Sequence, residues 1–216
     1  MNKCKQTVTV VLLGVGLTLG NTAQAGFLYN LMDLGTLLAS SSSVGAGINA
    51  SGQVAGYSYA PYNKAHAFVT NNGVMSDLGT LDGNWSEGLG INDSGQVTGY
   101  ASAGINGLAH AFVTNNGIMS DLGTLDSNYK SSYSYGTGIN ASGQVTGYAN
   151  VNSDIHAFVT NNGVMSDLGT LGGSNSFGLG VNASGQVTGV AMTSDGDFLY
   201  SQLYPSCICH YEWCYE

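Results

Sequence analysis

The chain has 216 residues, a formal net charge of −9, and four lysines with no arginine. Binding to a phosphate backbone or an anionic membrane surface depends on Lys and Arg side chains, so the composition argues against nucleic acid and anionic lipid as partners. The 33 glycines, with an apolar fraction of 43%, favour a folded domain of many short strands and tight turns.

The first 25 residues have the pattern of a secretory signal peptide. Lys3 and Lys5 form a positive start, residues 8–19 are apolar, and Ala23-Gln24-Ala25 fits a small-x-small cleavage site. A membrane anchor is the alternative, but the apolar run is shorter than the ~20 residues that span a bilayer. We therefore expect a mature chain from Gly26 that is secreted to the extracellular space or cell surface, or to the periplasm, without membrane insertion.

A hairpin motif, HAFVTNNGVMSDLGTL, begins at His66 and returns at His110 and His156 with one change. Ala-Phe-Val-Thr favours a strand, and Asn72-Gly73 tolerates the positive φ angles of a type I′ turn. A second hairpin motif, Gly-x-Gly-Ile-Asn followed by Gln-Val-Thr-Gly-Tyr, turns at a Ser-Gly pair. The two motifs alternate along the chain.

The spacing of these motifs is that of β-propeller blades. Copies of Asp-Leu-Gly-Thr-Leu begin at Asp33, Asp77, Asp121 and Asp167, with spacings of 44, 44 and 46 residues. Four strands in about 44 residues are typical of one blade. We name the strands a (VMSDL), b (GxGIN), c (QVTGY) and d (HAFVT).

These patterns predict an all-β, four-bladed β-propeller-like domain of about 16 short antiparallel strands over residues 26–204. An irregular, cysteine-rich aromatic tail follows over residues 205–216. A lone strand a at Phe27–Leu34 and a last strand d at Phe198–Leu203 predict a blade that joins both ends of the chain and closes the ring. Paired glycines predict that strand b is innermost, where another backbone comes close, and that strand a is outermost.

The connections between strands divide into constant and variable sets. The d–a and b–c turns are nearly constant and fall at one end of each unit, whereas the a–b and c–d connections vary and fall at the other. Variable loops on a fixed scaffold are typical of binding surfaces. The variable connections are Leu38–Val44, Asp82–Glu87, Asp126–Tyr135, Gly172–Ser176, Ser58–Ala65, Ala101–Ala109, Ala149–Ile155 and Ala191–Gly196.

Aromatic side chains in these connections are the candidate ligand-binding residues. Such rings stack on sugars or anchor a protein partner; the alternative is that they fold under their own loops and cover the core. The candidates are Tyr62, Trp85, Tyr129, Tyr133 and Tyr135, with Tyr59 and Phe177 beside them.

His66, His110 and His156 recur once per unit, and a ring of imidazoles could hold a metal. Strand alternation, however, puts each histidine on the same face as the following Phe. We interpret these histidines as structural and expect them to bond the repeated Asp of Asp-Leu-Gly. The absence of a fourth His, with Gly196-Asp197-Phe198 at that place, argues against a symmetric metal site.

The repeated aspartates are interpreted as turn or strand-end hydrogen-bond acceptors. Catalysis by carboxylates needs a pair in unlike environments, and Asp33, Asp77, Asp121 and Asp167 are equivalent copies. We therefore expect no catalytic residue, metal or cofactor.

Two other sets of side chains leave alternatives open. The unrepeated loop acids could bind calcium weakly, but their spacing favours solvated charge. In the tail, Cys207, Cys209, His210 and Cys214 could bind metal, although export to an oxidising compartment favours one disulfide and a spare thiol.

The strings HAFVTNNG, DLGTL and GINASGQVTGY resemble the HAF-type extracellular repeat of exported and surface bacterial proteins. The resemblance covers about Phe27–Tyr200 and implies a bacterial exported protein with propeller-like blades; it supplies neither catalytic residues nor a ligand. The last strand departs from the pattern, and Val190 stands where other copies have a tyrosine such as Tyr100.

The sequence thus predicts a secreted, non-catalytic module that binds a glycan or another exported protein through its variable face. A structural or assembly role without a small ligand, with tail cysteines linking copies, is the alternative. A hydrolase that uses loop carboxylates such as Asp82 and Glu87 is a third hypothesis. The oligomeric state stays open.

Overall fold

The computed structural model describes residues 32–37, 42–60, 64–104, 107–126 and 131–203. Several predicted features lie outside the described residues: residues 1–25, the first part of the predicted strand Phe27–Leu34, the tail 205–216, Tyr62 and Tyr129. Within them there are fifteen strands and no α-helix, which confirms the all-β class. The described residues accordingly include no helix that could span a bilayer.

The described strands follow the predicted order b, c, d, a in the first three units and b, c, d in the fourth. The first unit contains β1 (Ser43–Ile48), β2 (Val54–Ala60), β3 (Lys64–Asn71) and β4 (Val74–Asp77). The second contains β5 (Ser86–Ile91), β6 (Val97–Ala103), β7 (Leu108–Asn115) and β8 (Ile118–Asp121). The third contains β9 (Ser134–Ile139), β10 (Val145–Val151), β11 (Asp154–Asn161) and β12 (Val164–Asp167). The fourth contains β13 (Gly172–Val181), β14 (Val187–Thr193) and β15 (Phe198–Leu203).

Strands that are neighbours in a unit pair antiparallel, so strands b and a lie at opposite edges of each four-stranded unit. The first and second units are separate four-stranded sheets. A single parallel pair, Ile155 with Asn175, joins the third and fourth units into a seven-stranded sheet. None of the three sheets closes on itself.

The constant turns have the chemistry that their sequence predicts. Asn72 and Gly73 have φ angles of 51° and 76°, which is the left-handed pair that a type I′ turn requires. In the b–c turn of the second unit, the side-chain oxygen of Asn92 accepts hydrogen bonds from the amides of Ser94 and Gln96. The asparagine therefore closes its own turn.

The core lies between units rather than inside any one of them. Three equivalent apolar clusters each combine two consecutive units. The cluster between the first and second units contains Ala55, Ala67, Val69, Leu78, Val97, Ala101 and Phe112. Because each sheet is one layer thick, a unit buries most of its apolar surface where a neighbouring unit packs against it.

In the second, third and fourth units, the first glycine of strand b lies where the backbone of the preceding unit comes close, as expected. A Cβ atom at Gly88 would lie 2.9 Å from the carbonyl oxygen of Gly56, and one at Gly136 would lie 3.0 Å from that of Gly99. Both distances are too short for a real Cβ atom without movement of the neighbouring chain.

Several predicted variable connections are shorter than expected because the strands extend into them. Strand β13 begins at Gly172, so the predicted loop Gly172–Ser176 is part of a strand. Between β10 and β11 only Asn152 and Ser153 remain, because Asn152 adopts a positive φ of 54° and completes a tight turn.

The last strand has a different register from the predicted alignment. Leu199 pairs opposite Ala191, which is the place that His156 takes opposite Ala149 in the third unit. The prediction that Gly196 stands at the fourth histidine position is therefore wrong. The reason is the preceding turn, in which the Thr193 amide bonds the carbonyl oxygen of Asp197 and delays the start of the strand.

The described part of the predicted first strand, residues 32–34, is not in a strand. The segment 32–37 lies against the first unit, where the Leu37 amide donates to Ser58 Oγ at 3.0 Å. In the described part of the chain, no close packing joins strands of the first unit to strands of the fourth.

Candidate functional site

Six aromatic rings lie in a continuous row that crosses from the second unit to the fourth. Five rings follow one another, and Tyr133 branches from them as a further neighbour of Tyr135. The contacting rings have centroids 4.6–5.7 Å apart, which is the range of edge-to-face and stacked aromatic pairs. The rings are half-buried, so that part of each ring surface is accessible. We call this set the aromatic row: Trp85, Tyr100, Tyr133, Tyr135, Tyr148 and Phe177.

Strand register and unit packing together assemble the row. Tyr135 and Tyr148 are direct partners across β9 and β10 and stack with centroids 5.0 Å apart. Two tyrosines of strand c also meet an aromatic side chain of strand b in the next unit: Tyr100 lies 4.6 Å from Tyr135, and Tyr148 lies 5.1 Å from Phe177. The repeat therefore carries the row across unit boundaries.

One carboxylate is built into the row. The hydroxyl of Tyr100 donates a hydrogen bond of 2.5 Å to Glu87 Oε2. Burial, that hydrogen bond and the Glu87 charge raise the pKa of Tyr100 well above its ordinary value. Burial also raises the pKa values of Tyr135 and Tyr148. The row thus presents neutral phenols beside an accepting carboxylate.

Three of the five predicted ligand-binding residues, Trp85, Tyr133 and Tyr135, belong to this row. Tyr62 and Tyr129 lie outside the described residues. Sequence reasoning missed Tyr100 and Tyr148, because both belong to a strand and not to a variable loop. The tyrosine that ends each Gln-Val-x-Gly-Tyr motif was the available signal.

The predicted bond between the repeated histidine and aspartate is present in three units. The distances from His Nδ1 to the Asp carboxylate are 2.9, 2.9 and 2.8 Å for the pairs that His66, His110 and His156 form with Asp77, Asp121 and Asp167, respectively. Each aspartate also accepts the amide two residues ahead, as does Asp33 from Gly35.

These bonds hold strand d against the start of the Asp-Leu-Gly turn. At Asp121, burial alone would raise the pKa, but the bond from His110, the amide of Gly123 and the His110 charge together lower it. Among the described residues, no group of three or more His, Cys, Asp or Glu side chains is arranged to hold a metal ion.

The structure also has a groove at the constant end, where the sequence predicted no ligand. It has a volume of about 450 Å³ and lies between the second and third units. Its two glutamine side chains are paired already, since Gln96 donates to Asn115 and Gln144 donates to Asn161. These bonds stabilise the turns and leave fewer free donors for a ligand.

A comparison of the chain with models of protein families gave no match. A comparison with curated proteins gave no relative either. The function is therefore argued from the geometry of the site.

Proposed function

We propose that the protein is a secreted, non-catalytic binding module of the HAF-type bacterial extracellular repeat, and that it holds a glycan or another exported protein on the aromatic row. The observation that carries this proposal is the contiguous, half-buried row of six rings near the variable ends of the units. Half-buried rings supply large, rigid contact areas at a small cost in side-chain entropy.

The four units are, in this proposal, propeller-like blades. Among the described strands, close packing between consecutive units always involves strand b of the later unit, which contacts strands b, c and d of the earlier one. The outer strands of neighbouring units make no comparable contact there. Units that meet along one edge and separate at the other fan out around that edge, as blades do.

The charge of the protein narrows the class of ligand. The formal net charge is −9, and Glu87 lies within the row itself. A sulfated or otherwise polyanionic glycan would be repelled. A neutral glycan, whose sugar faces stack on the rings and whose hydroxyls donate to Glu87, fits the row best.

A glycan panel with two single variants tests the proposal. Trp85→Ala and Tyr133→Ala remove the rings nearest the a–b connections, and we expect each to weaken binding of a neutral glycan by about tenfold or more, as is usual for an aromatic anchor. Ile118→Ala is the control, because Ile118 is 71% exposed and lies beside a constant turn. Binding that neither ring variant changes, or no binding to any panel member, contradicts the proposal.

Secretion has a separate test. N-terminal sequencing of the protein recovered outside the cytoplasm of a bacterial host is expected to begin at Gly26. Recovery of the uncleaved chain in the cytoplasm alone would contradict export.

A further inference from the structure

The three interfaces between units use the same two surfaces. We call the side of a unit that packs on the preceding unit its back face; in the second unit it carries Gly88, Ile91 and Val97. The side that packs on the following unit is the front face, and it carries Ala111 and Val113 in the second unit. Every interface inside the chain joins a front face to the next back face.

A ladder of asparagine side chains gives the interfaces a direction. The side-chain amide of Asn49 donates to the carbonyl oxygen of Asn92 at 3.1 Å, Asn92 donates to Asn140 at 2.9 Å, and Asn140 donates to Asn182 at 2.8 Å. The first three asparagines of this ladder are buried. Each step thus runs from a front face to the back face of the following unit.

The back face of the first unit is open along strand β1. Ile48 is 69% exposed, whereas its equivalents Ile91 and Ile139 are half-buried against a preceding unit. Gly45 is exposed, although the equivalent glycines of the other units are buried. Phe68 of the same unit is fully buried, so the open part is confined to the inner edge.

The front face of the fourth unit is open in the complementary place. Thr188 is exposed, whereas the equivalent Thr98 is fully buried. Leu179 and Phe198 are 51% and 50% exposed. Asn182 is exposed too, and among the described residues its side-chain amide donates within its own turn, to Gln186 at 2.6 Å. The donor end of the ladder therefore lies at a solvent-facing surface.

We propose that these two open faces bind each other between molecules, so that the front face of the fourth unit packs on the back face of the first unit of a second copy of this chain. The occupant follows from continuity, because the surface that fits each open face is already present at the opposite end. In this contact Thr188 lies against Gly45, as Thr98 lies against Gly136. The side chain of Asn182 then donates to the carbonyl oxygen of Asn49, which adds a fourth step to the ladder.

Such a contact joins two different surfaces, so each molecule keeps one free end after the first contact. The named residues of both faces are uncharged, but the molecules carry a net charge of −9 each and repel at a distance. Salt screens that repulsion. Association is therefore expected to strengthen as the salt concentration rises.

The test is sedimentation velocity of the purified full chain at a series of concentrations, with and without a reductant that keeps the cysteines from forming links. The wild type is expected to form dimers and larger species as its concentration rises. Ile48→Asp blocks the back face and Leu179→Asp blocks the front face, and each variant alone is expected to stay monomeric. The equimolar mixture is expected to form a one-to-one heterodimer, because each partner keeps one working face.

Ile118→Asp is the matched control. It replaces an isoleucine of nearly equal exposure, 71% against 69% for Ile48, at a constant turn, and is expected to associate like the wild type. Circular dichroism and thermal unfolding check that each variant is folded. Asn182→Asp, which keeps the acceptor oxygen of its turn and removes the donor, gives a second measurement and should lower the association constant by about tenfold or more.

Four results would overturn the proposal. These are a wild type that is monomeric at every concentration, self-association of either single Asp variant, a mixture of the two that stays monomeric, and association that reductant abolishes. The last result would point to links through the tail cysteines.

Discussion

Replacing Gly178 with alanine tests whether the approach of two units explains the glycines of strand b. A Cβ atom there would collide with Thr146 Oγ1 and would lie 2.8 Å from the carbonyl oxygen of Gly147, both in the preceding unit. Thr146 is fully buried, and its hydroxyl donates to the carbonyl oxygen of Phe158 at 2.8 Å. The hydroxyl can move away only by giving up that bond.

The expected loss of stability follows from three contributions. Forcing one extra carbon into a packed interior costs about 1–3 kcal/mol, and loss of a buried hydrogen bond costs about 1 kcal/mol. Removing a glycine from the unfolded chain returns about 0.4–1 kcal/mol. We therefore expect Gly178→Ala to lower the free energy of unfolding by about 2 kcal/mol, which corresponds to a Tm lower by roughly 4–8 °C.

Gly45→Ala is the matched control, because Gly45 holds the same position in the first unit but has no preceding unit against it. The nearest atom to its added Cβ would be Val54 Cγ1, a side-chain atom of the same unit, at 3.1 Å. We expect a change below about 1 kcal/mol in either direction, as mild crowding and the entropy gain offset each other.

Thermal and urea unfolding measure both variants, at a concentration low enough to keep the chain monomeric so that association contributes nothing. Equal loss of stability in Gly45→Ala and Gly178→Ala would refute the explanation. It would mean that strand b needs glycine for its own conformation and not for the neighbouring unit.

Three further predictions concern pH and the asparagine ladder. Tyrosinate absorbance should show Tyr100 ionising far above its ordinary pKa of 10.0. The stability that the neutral Tyr100 side chain contributes is present below pH 10.0 and is lost as the pH rises through the folded pKa. Glu87→Gln should bring the ionisation to lower pH, and an unchanged ionisation would contradict the argument. Asp121 has a lowered pKa, so the stability that its carboxylate contributes is present above pH 3.8 and is lost as the pH falls through the folded pKa. Asp121→Asn should therefore flatten the acid side of a plot of unfolding free energy against pH, and an unchanged curve would contradict this prediction. Asn92→Asp removes one buried donor of the ladder and should cost about 1–3 kcal/mol in urea unfolding, whereas a neutral result would show that the ladder contributes little.

Local chemistry made most of the strands predictable. A pair such as Asn72-Gly73 fixes a two-residue turn, and the turn fixes the register of the strands that it joins. The Asp-Leu-Gly turn and its bond to a histidine follow in the same way, because partners such as His66 and Asp77 belong to one hairpin, eleven residues apart. These turns, registers and side-chain bonds are all determined by residues of a single repeat unit.

Arrangements that depend on contacts between two units were harder to predict from the sequence. The paired glycines indicated that another backbone comes close, but not the rotation between units that decides whether four of them close a ring. Tyr100 and Tyr135 come from different units, so that no motif joins them, and the aromatic row was predicted only in part. The last strand was misaligned because its register depends on the turn at Gly196, which lies in a variable connection and not in a repeated motif.

The position of the core explains why the ends of this protein differ from those of other repeat proteins. In a stack of repeats the terminal units usually carry a polar outer face, since nothing covers it. Here the terminal faces keep the apolar side chains of Ile48, Leu179 and Phe198. Because all three clusters of the core form between units, each terminal unit has one such interface where an internal unit has two. A second copy supplies the missing interface to one end of the molecule, and a third copy supplies it to the other. The same surface chemistry that folds the chain therefore favours association between chains.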